Sequence, residues 1–417
     1  MFILKSVFCR IYQTAFRMVL PILPYREPEI VDSCAGIDRI LKKEKVNSVL
    51  IVTDKGIVEN GLTVPITEVL KSAGVAYTVY DQTRPNPTVH NVEDACALYL
   101  ENHCNGLIAV GGGSSMDCAK AVGARGVYPK KSIGKMKGIL RVLRPLPTLI
   151  AIPTTAGTGS ETTLAAVITD SEKHHKYALM SFPLIPHYAV LDPELTCTLP
   201  KSLTATTGMD ALTHAVEAYI GRSSTRETRR LALDAVKLVF ENIETAYEDG
   251  QNRTARGNML QASYKAGAAF SQSYVGYIHA VAHSLGGQYG TPHGLANAVI
   301  MPYVLEAYGE TVWKKLHRLG MAAGVCTAEQ SDQEATEVFI HAIRELNRNM
   351  GIPDTLSGIR EEDIPTMAGN AEKEANPLYP VPRLMTAKEL ETFYYQIAGL
   401  EINHDRAGNK KTTGKAA

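Results

Sequence analysis

Two segments in the second half of the chain place a carboxylate and several imidazoles at the spacing of one helix face. Asp210 and His214 are four residues apart in GMDALTHAVEAY, as are His279 and His283 in GYIHAVAHSLGGQYGTPHGLANA, where His293 starts a further helix. A lone helical histidine is more often a satisfied polar residue than a ligand, but two such pairs favour a metal site. One carboxylate with several imidazoles suits a borderline divalent ion such as Fe²⁺ or Zn²⁺.

A glycine-rich turn in the first half could hold a phosphate. GGGSSMDCAK (111–120) follows an apolar run and opens a helix, where bare glycine backbone and free N–H groups bind anions. Ser114 and Asp117 match a capping box, which would fix where that helix begins. The pattern differs from the usual G-x-G-x-x-G, so a tight strand-to-helix turn without a ligand is the alternative interpretation.

A second glycine-rich turn, IPTTAGTGSE (152–161), again follows a strand and is expected to precede a helix. Thr154, Thr155 and Thr158 offer hydroxyl groups there. Two such turns on neighbouring strand ends would face one crevice at the carboxyl edge of the sheet, where open α/β sheets bind nucleotides. Asp54, at the end of another strand, could accept both ribose hydroxyls and repel a 2′-phosphate, which favours NAD over NADP; a helix N-cap is its alternative role.

These two groups of residues require an α/β domain followed by a helical one. Short β-branched runs alternate with helical stretches over residues 27–200, which predicts βαβ units and a mainly parallel sheet. Over residues 201–402 the strand signals vanish and long amphipathic stretches predict an all-helical domain. We expect strands within 48–54, 75–81, 106–114, 148–155 and 188–192. We expect helices within 62–72, 202–220, 226–248, 253–270, 277–287, 294–307, 310–323, 333–350 and 386–398.

The two halves together suggest a reaction. A metal beside a nicotinamide ring would be an arrangement for hydride transfer.

The composition excludes several classes of protein. The 417 residues contain 43 Lys+Arg and 43 Asp+Glu, and the resulting zero net charge argues against a general nucleic-acid binder. Seven scattered cysteines form no CxxC pair, so a disulfide framework is not expected and a reducing compartment fits. No apolar run approaches the roughly 20 residues that span a bilayer. Cys118, just past the first glycine-rich turn, is the thiol that we single out for oxidation.

Both ends of the chain are cationic. Residues 1–26 have helical amphipathic spacing, and Glu27 is the first acidic residue. Three interpretations remain open: a helix docked on the body or on a neighbouring subunit, a surface peptide that docks on a partner, and a mitochondrial presequence. A secretory signal is disfavoured because Arg10 and Arg17 interrupt the apolar stretch. We therefore expect a cytoplasmic protein, with the mitochondrial matrix or a protein microcompartment as alternatives, and a flexible tail over 403–417.

Together, GGGSSMDCAK, IPTTAGTGSE, GMDALTHAVEAY and HAVAHSLGGQYGTPHGLANA resemble the iron-containing (group III) alcohol dehydrogenase family. PNP (85–87), GIP (351–353) and NPLYP (376–380) also look like that family, and the resemblance extends from about Tyr25 to Leu400. It implies a fold like that of dehydroquinate synthase, with the active site between an α/β nucleotide-binding domain and an all-helical domain. It further implies a homodimer or larger homo-oligomer that interconverts a small alcohol or diol and its carbonyl compound with NAD. Fe²⁺ is the implied metal, with Zn²⁺ as the alternative.

The resemblance also implies roles for individual residues. By motif position, the metal ligands are Asp210, His214, His279 and His293, and His283 lies by the substrate as a proton-relay or orienting group. The positions that match the NAD site are Asp54, Asn86, Gly112, Gly113, Ser114, Asp117, Thr154, Thr155, Thr158 and Lys176. Ala165 stands where some members carry an Asn that approaches the cofactor, so one polar contact is expected to be missing.

Rival functions would share some of these features. A lyase or cyclase of the dehydroquinate synthase type would use the same fold, NAD and metal without a net change in NADH. A metallohydrolase would activate water with the same Asp/His cluster, and the two glycine-rich turns argue against it. A docking role for the N-terminal segment would be an addition to an activity.

Overall fold

A computed structural model describes residues 2–19, 23–172 and 175–401. The tail predicted over 403–417 lies outside the described residues. No helix in the described ranges is long and apolar enough to cross a bilayer.

The first domain is built on a six-stranded sheet in which every pair is parallel, as predicted. The strands are β1 (Glu29–Val31), β2 (Ser48–Val52), β3 (Ala76–Tyr80), β4 (Gly106–Gly111), β6 (Thr148–Pro153) and β9 (Tyr188–Val190), in the order β1-β9-β6-β4-β2-β3. All six residues of β4 are buried, because helices cover both faces of the sheet and leave no face for polar side chains. The helices of this domain are α2 (Ile37–Lys43), α3 (Lys55–Glu59), α4 (Val64–Ser72), α5 (Val89–Glu101) and α6 (Gly113–Val127).

A second, three-stranded sheet was not expected from the sequence. It consists of β5 (Gly138–Ile139), β8 (His175–Met180) and β7 (Ala165–Asp170), with β7 and β8 antiparallel. The helix predicted after the second glycine-rich turn is therefore wrong, since only a 3₁₀ turn over Ser160–Thr162 precedes β7. The β-branched residues of this stretch favour extended backbone, and the buried ammonium of Lys120 fixes it by donating to the carbonyls of Thr163 and Ala165.

The second domain is helical from Lys201 onward. Its helices are α7 (Lys201–Ile220), α8 (Arg226–Glu248), α9 (Arg253–Ser273), α10 (Tyr277–Tyr289), α11 (His293–Tyr308), α12 (Trp313–Ala322), α13 (Asp332–Asn349), α14 (Ile364–Ala375) and α15 (Ala387–Ala398). Side chains from α7 to α15 form one continuous core, and the middle of α7 is buried all round. The amphipathic stretches predicted all of these helices except α14, where Pro365 and Gly369 interrupt the apolar periodicity.

The N-terminal segment forms α1 (Phe2–Val19), which is docked on the helical domain. The Arg10 guanidinium donates to the carbonyls of Val381 and Pro382 at 2.8 and 3.0 Å. The Gln13 amide is buried and donates to the carbonyl of Tyr379 at 2.7 Å. Of the three interpretations of this segment, the structure shows the helix docked on the body.

Candidate metal and dinucleotide site

Four side chains of the helical domain converge at one point. One ligand atom from each of Asp210, His214, His279 and His293 lies within 4.8 Å of the other three. The Oδ1 atom of Asp210 is 3.5 Å from His293 Nε2 and 3.9 Å from His279 Nε2. The sequence therefore identified a group of residues that the fold brings together from three helices.

Close helix packing produces this convergence, and glycines permit it. α11 begins at His293, so that imidazole lies at the helix start against α7. A Cβ atom on the next residue, Gly294, would lie 2.3 Å from the carbonyl of Thr206, so only glycine lets α11 approach α7 this closely. The His214 ring is stacked on Phe270 of α9 with centroids 4.1 Å apart, which fixes its plane.

Glu217 orients His279 through the ring nitrogen that faces away from the cluster. Its carboxylate accepts the backbone N–H groups of Gly276 and Ile278 at 2.8 Å, and its Oε2 lies 2.6 Å from His279 Nδ1. With Nδ1–H donating to the carboxylate, the lone pair of Nε2 faces the cluster. Glu217 was missed in the sequence, although its position three residues after His214 on one helix was a usable signal.

Asn297 lies among the four side chains. Its Nδ2 donates to Asp210 Oδ1 at 2.7 Å and is 3.2 Å from the Nε2 atoms of both His279 and His293. Three acceptors therefore point their lone pairs at one small volume. Asn297 was also missed, although it follows His293 by four residues on α11.

The donor set fits a divalent ion. The Nδ1 atom of His214 is buried with no hydrogen-bond partner among the described residues, which is costly unless something else binds it. Burial lowers the pKa of His214 and His279, and it lowers the pKa of His293 to about 4. These imidazoles are therefore neutral at pH 7, the form in which histidine binds metals.

His283 lies beside this cluster but belongs to a different network. Its ring is stacked on that of His293 with centroids 5.1 Å apart. Its Nδ1 is 2.6 Å from Glu374 Oε1, which also accepts the hydroxyl of Tyr379 at 2.7 Å. Although burial lowers it, the pKa of His283 is raised overall by the Glu374 carboxylate. Glu374 and Tyr379 were not predicted, because 91 residues separate Glu374 from its partner.

The two glycine-rich turns adjoin each other at the carboxyl ends of β4 and β6. The backbone of Gly111 has φ +142°, and a Cβ atom on Gly112 would lie 3.4 Å from the Thr155 hydroxyl. A Cβ atom on Gly113 would lie 3.2 Å from the Thr158 side chain. The Thr154 backbone N–H donates to the carbonyl of Gly111 at 3.1 Å. The predicted adjacency of the two turns at neighbouring strand ends is therefore confirmed.

Further predicted cofactor residues lie around these turns. Asp54 is the N-cap of α3 and accepts the N–H of Ile57 through Oδ1 at 3.1 Å. The helix N-cap, which the sequence left open as the alternative role of Asp54, is therefore observed. Its other oxygen lies toward Gly111, 3.7 Å from where a Cβ atom would stand.

Asn86, Ser114 and Lys176 form a polar group at the same edge. Asn86 has φ +58°, and its N–H donates to Ser114 Oγ at 3.3 Å. The Lys176 ammonium donates to Asn86 Oδ1 at 2.8 Å.

The predicted capping box at α6 is wrong. The helix begins at Gly113, so its N-cap is Gly112, and no side chain caps it. Asp117 instead accepts the Ser160 hydroxyl at 2.8 Å and the N–H of Val167 at 2.9 Å. Within the described residues, this carboxylate holds the second turn and β7 in place, and it does not fix the helix start.

The expectation that Cys118 is prone to oxidation is also wrong. The thiol is fully buried, and burial raises its pKa to about 12, so almost none is thiolate at neutral pH. All seven cysteines are free, in agreement with the absence of a disulfide framework.

The metal cluster and the glycine-rich turns lie next to each other. A Cβ atom on Gly157 in the second turn would lie 2.6 Å from the carbonyl of Thr207, one turn before Asp210 on α7. The ammonium of Lys176 is close enough to contribute to the lowered pKa of His293, after burial and two other imidazoles. A ligand held at the turns could therefore reach the cluster.

Comparison with known proteins agrees with this arrangement. Residues 31–193 match the family described as iron-containing alcohol dehydrogenase, and residues 204–398 match the Fe-containing alcohol dehydrogenase family, C-terminal. The chain is 38% identical over 351 residues to a 1,3-propanediol dehydrogenase of Citrobacter freundii, which covers 83% of this chain and 90% of that protein. It is 39% identical over 337 residues to alcohol dehydrogenase 4 of Saccharomyces cerevisiae strain YJM789, covering 80% and 87%.

Solved structures share most of the fold. A 1,3-propanediol oxidoreductase superposes with a TM-score of 0.86 at 35% identity, over 89% of this chain and 99% of that chain. A sulfoacetaldehyde reductase from Bifidobacterium kashiwanohense in complex with NAD⁺ superposes with a TM-score of 0.80 at 28% identity, over 90% and 99%.

Proposed function

The chain belongs to the iron-containing alcohol dehydrogenase family and is an oxidoreductase of alcohols and aldehydes; from that premise we propose that it interconverts a small primary alcohol or diol and its aldehyde with NAD(H). The observation that carries this proposal is the convergence of Asp210, His214, His279 and His293 beside the two glycine-rich turns.

We propose Fe²⁺ as the metal, held by these four side chains, with Zn²⁺ as the alternative that the same donors accept. When bound, the ion supplies Lewis-acid polarisation of the alcohol or carbonyl oxygen. The chain itself supplies orientation, because Glu217 fixes the His279 ring through Nδ1.

His283 is the proposed group for proton transfer. Oxidation of an alcohol would release a proton from the hydroxyl besides the hydride that a bound nicotinamide would accept, and that proton needs an acceptor near the cluster. The carboxylate of Glu374 orients the His283 ring through Nδ1, which leaves Nε2 free to exchange a proton with substrate or water. Tyr379 holds that carboxylate in turn by donating to the same oxygen.

NAD is the proposed cofactor, with its pyrophosphate at the backbone of Gly112, Gly113 and Ser114. The N–H groups at the start of α6 suit an anion, and the absent Cβ atoms allow close approach. The Asp54 carboxylate beside Gly111 would accept ribose hydroxyls and repel the 2′-phosphate of NADP. The NAD⁺ complex of the Bifidobacterium relative supports this assignment.

A small substrate, such as a short diol, is supported by the names of the relatives, among them the Citrobacter 1,3-propanediol dehydrogenase. We further propose that the protein is a homodimer or larger homo-oligomer in the cytoplasm. Light scattering coupled to size exclusion and cell fractionation test these two points.

A substrate panel tests the proposed activity. Metal-free protein would be reconstituted separately with Fe²⁺ and with Zn²⁺, and alcohols, diols and aldehydes would be offered with NAD(H) and with NADP(H). We expect NADH to form from a short alcohol or diol and to be consumed by the corresponding aldehyde. A lyase or cyclase would convert a substrate with no net change in NADH, and that result would overturn the proposal.

A further inference from the structure

Helix α1 presents an apolar face to solvent although its other face is fixed to the helical domain. Arg10 and Gln13 bind the 377–382 segment, and Cys9 beside them is buried. The opposite side carries large apolar side chains that are 51, 59, 64 and 71% exposed: Val7, Phe8, Ile11 and Met18. These four residues are called the outer strip below. Large apolar side chains clustered in this way mark an interaction surface and not ordinary scattered exposure.

The surface beside the outer strip is open to a partner. A groove of about 660 Å³ runs along α1 between Val7, Ile11 and Met18 on one side and Leu384 on the other. No acidic residue occurs in the first 26 positions, so every charged side chain of α1 is cationic. Lys5 is paired with Glu372 at 2.6 Å and Arg10 binds the carbonyls of Val381 and Pro382, so Arg17 is the cation of α1 that contributes to the outer surface.

A group of cations lies at the end of α1. It consists of Arg17, Arg222, Arg226, Arg229, Lys315 and Arg318, and it is called the basic cluster below. Among the described residues, no carboxylate lies within ion-pair distance of these six side chains, whereas the neighbouring Arg230 is paired with Glu227 and Asp234. Three members, Arg226, Arg229 and Arg318, line a cavity of about 420 Å³.

Arg17 connects the basic cluster to α1, because it directly precedes Met18 of the outer strip and its charge lowers the pKa of Lys315. The backbone N–H of Arg222 donates to the carbonyl of Pro380, next to the carbonyls of Val381 and Pro382 that bind Arg10. The Lys315 ammonium donates to the carbonyl of Ile220 at the end of α7.

The cations of the cluster repel one another. Burial first, and then the charges of Arg229, Arg222 and Arg17, lower the pKa of Lys315 to about 8. An anionic partner would relieve this repulsion.

We propose that the outer strip and the basic cluster together form a docking surface for an anionic lipid bilayer. An amphipathic helix with an exposed apolar face and cationic flanks lies in the boundary between headgroups and acyl chains, and adjacent Lys and Arg side chains bind anionic headgroups. α1 is held in the plane of such a contact because Arg10 and Gln13 fix its inner face. The protein would then be a peripheral enzyme whose active site stays in water.

The charges favour a bilayer over a second copy of the chain or a free polyanion as the occupant of this surface. In a symmetric contact through the outer strip, each copy would meet the outer strip and basic cluster of the other, which offer no anion to neutralise the cluster. A free polyanion in the arginine-lined cavity would use the basic cluster but leave the outer strip exposed.

Vesicle sedimentation of the full-length protein tests the proposal. We expect the protein to pellet with vesicles that contain phosphatidylglycerol but not with vesicles of phosphatidylcholine alone, and salt should weaken the binding. Ile11→Glu and Arg318→Glu should each weaken binding about tenfold or more while leaving the oxidoreductase activity unchanged. Matched controls are Leu143→Glu, an equally exposed apolar side chain of the first domain, and Arg39→Glu, an exposed cation of that domain; both should bind like the unaltered protein.

Three results would overturn the proposal. One is failure of the unaltered protein to pellet with anionic vesicles. Another is loss of an oligomer in Ile11→Glu without any vesicle binding by the unaltered protein, which would assign the outer strip to a second copy. The third is binding of inorganic phosphate that depends on Arg318, again without vesicle binding, which would assign the cluster to a free anion.

Discussion

The Nδ1 atom of His283 lies 2.6 Å from Oε1 of Glu374, and these two side chains come from α10 and α14. An imidazole held in this way has one nitrogen committed to the carboxylate and one available to the site. The arrangement gives His283 a defined orientation next to the metal cluster without making it one of the four converging ligands.

Glu374→Gln should therefore lower kcat about 10- to 100-fold while KM and metal content change little, because the His283 ring loses its anionic partner. Glu374→Asp should restore part of the loss, which a merely structural role would not predict. Steady-state kinetics with metal analysis measures this, and Glu372→Gln, two residues earlier on α14, is the control. Full kcat in Glu374→Gln would show that the pair has no part in the reaction.

Glu217→Gln should weaken metal binding about 10- to 100-fold. Gly276 N–H and His279 Nδ1 bind Oε2, whereas Ile278 N–H binds Oε1, so the amide has an oxygen for only one of these two positions. An NH₂ group at the Oε2 position would donate to His279 Nδ1 and reverse the tautomer whose Nε2 lone pair faces the cluster, and one at the Oε1 position would oppose Ile278 N–H. Competition against a chelator measures the affinity independently of activity. Unchanged affinity would contradict the assignment of Glu217 as the residue that orients His279.

Asp54→Ser should relax the preference for NAD over NADP. Serine still caps α3 by accepting the N–H of Ile57, so the change removes the charge and keeps the cap. The kcat/KM ratio for the two cofactors is the measurement. An unchanged ratio would leave Asp54 with only its structural role as an N-cap.

His317 is expected to make the free energy of unfolding depend on pH. Its imidazole lies 2.8 Å from Asp332 Oδ1 and 2.9 Å from the carbonyl of Thr327, and these partners raise its pKa in the folded state. The stabilisation is fully present below the unfolded pKa of about 6.5 and is lost as pH rises through the higher folded value.

The free energy of unfolding that His317→Gln removes should therefore be larger at acidic pH than at alkaline pH. Urea denaturation across that range measures it, with the exposed His341→Gln on α13 as control. A loss that is constant with pH would refute the charged contact.

The residues that could be predicted from the sequence are those whose partners are close in the chain or repeat at a fixed spacing. The four-residue spacing of Asp210 and His214, and of His279 and His283, predicts that each pair lies on one face of a helix. The parallel strands declare themselves through short apolar runs. The two His-containing segments together predict that their helices converge. The close packing of Gly294 against Thr206 is the physical cause of that convergence.

The remaining features depend on contacts that chain spacing does not encode. Ser114 and Asp117 match the sequence pattern of a capping box. In the structure, however, the Asp117 carboxylate accepts hydrogen bonds from Ser160 and Val167 and not from the helix start. Cys118 lies next to a turn in sequence but faces the core, so its thiol is inert. Tertiary contacts outweighed local patterns in both cases.

The most direct test of the central claim compares His279→Ala with the unaltered protein after identical reconstitution with Fe²⁺, measuring bound metal and NADH formation from a short diol in the same samples. We expect bound metal and NADH formation in the unaltered protein, and neither in the variant. A variant that binds no metal yet forms NADH at the full rate would contradict that claim.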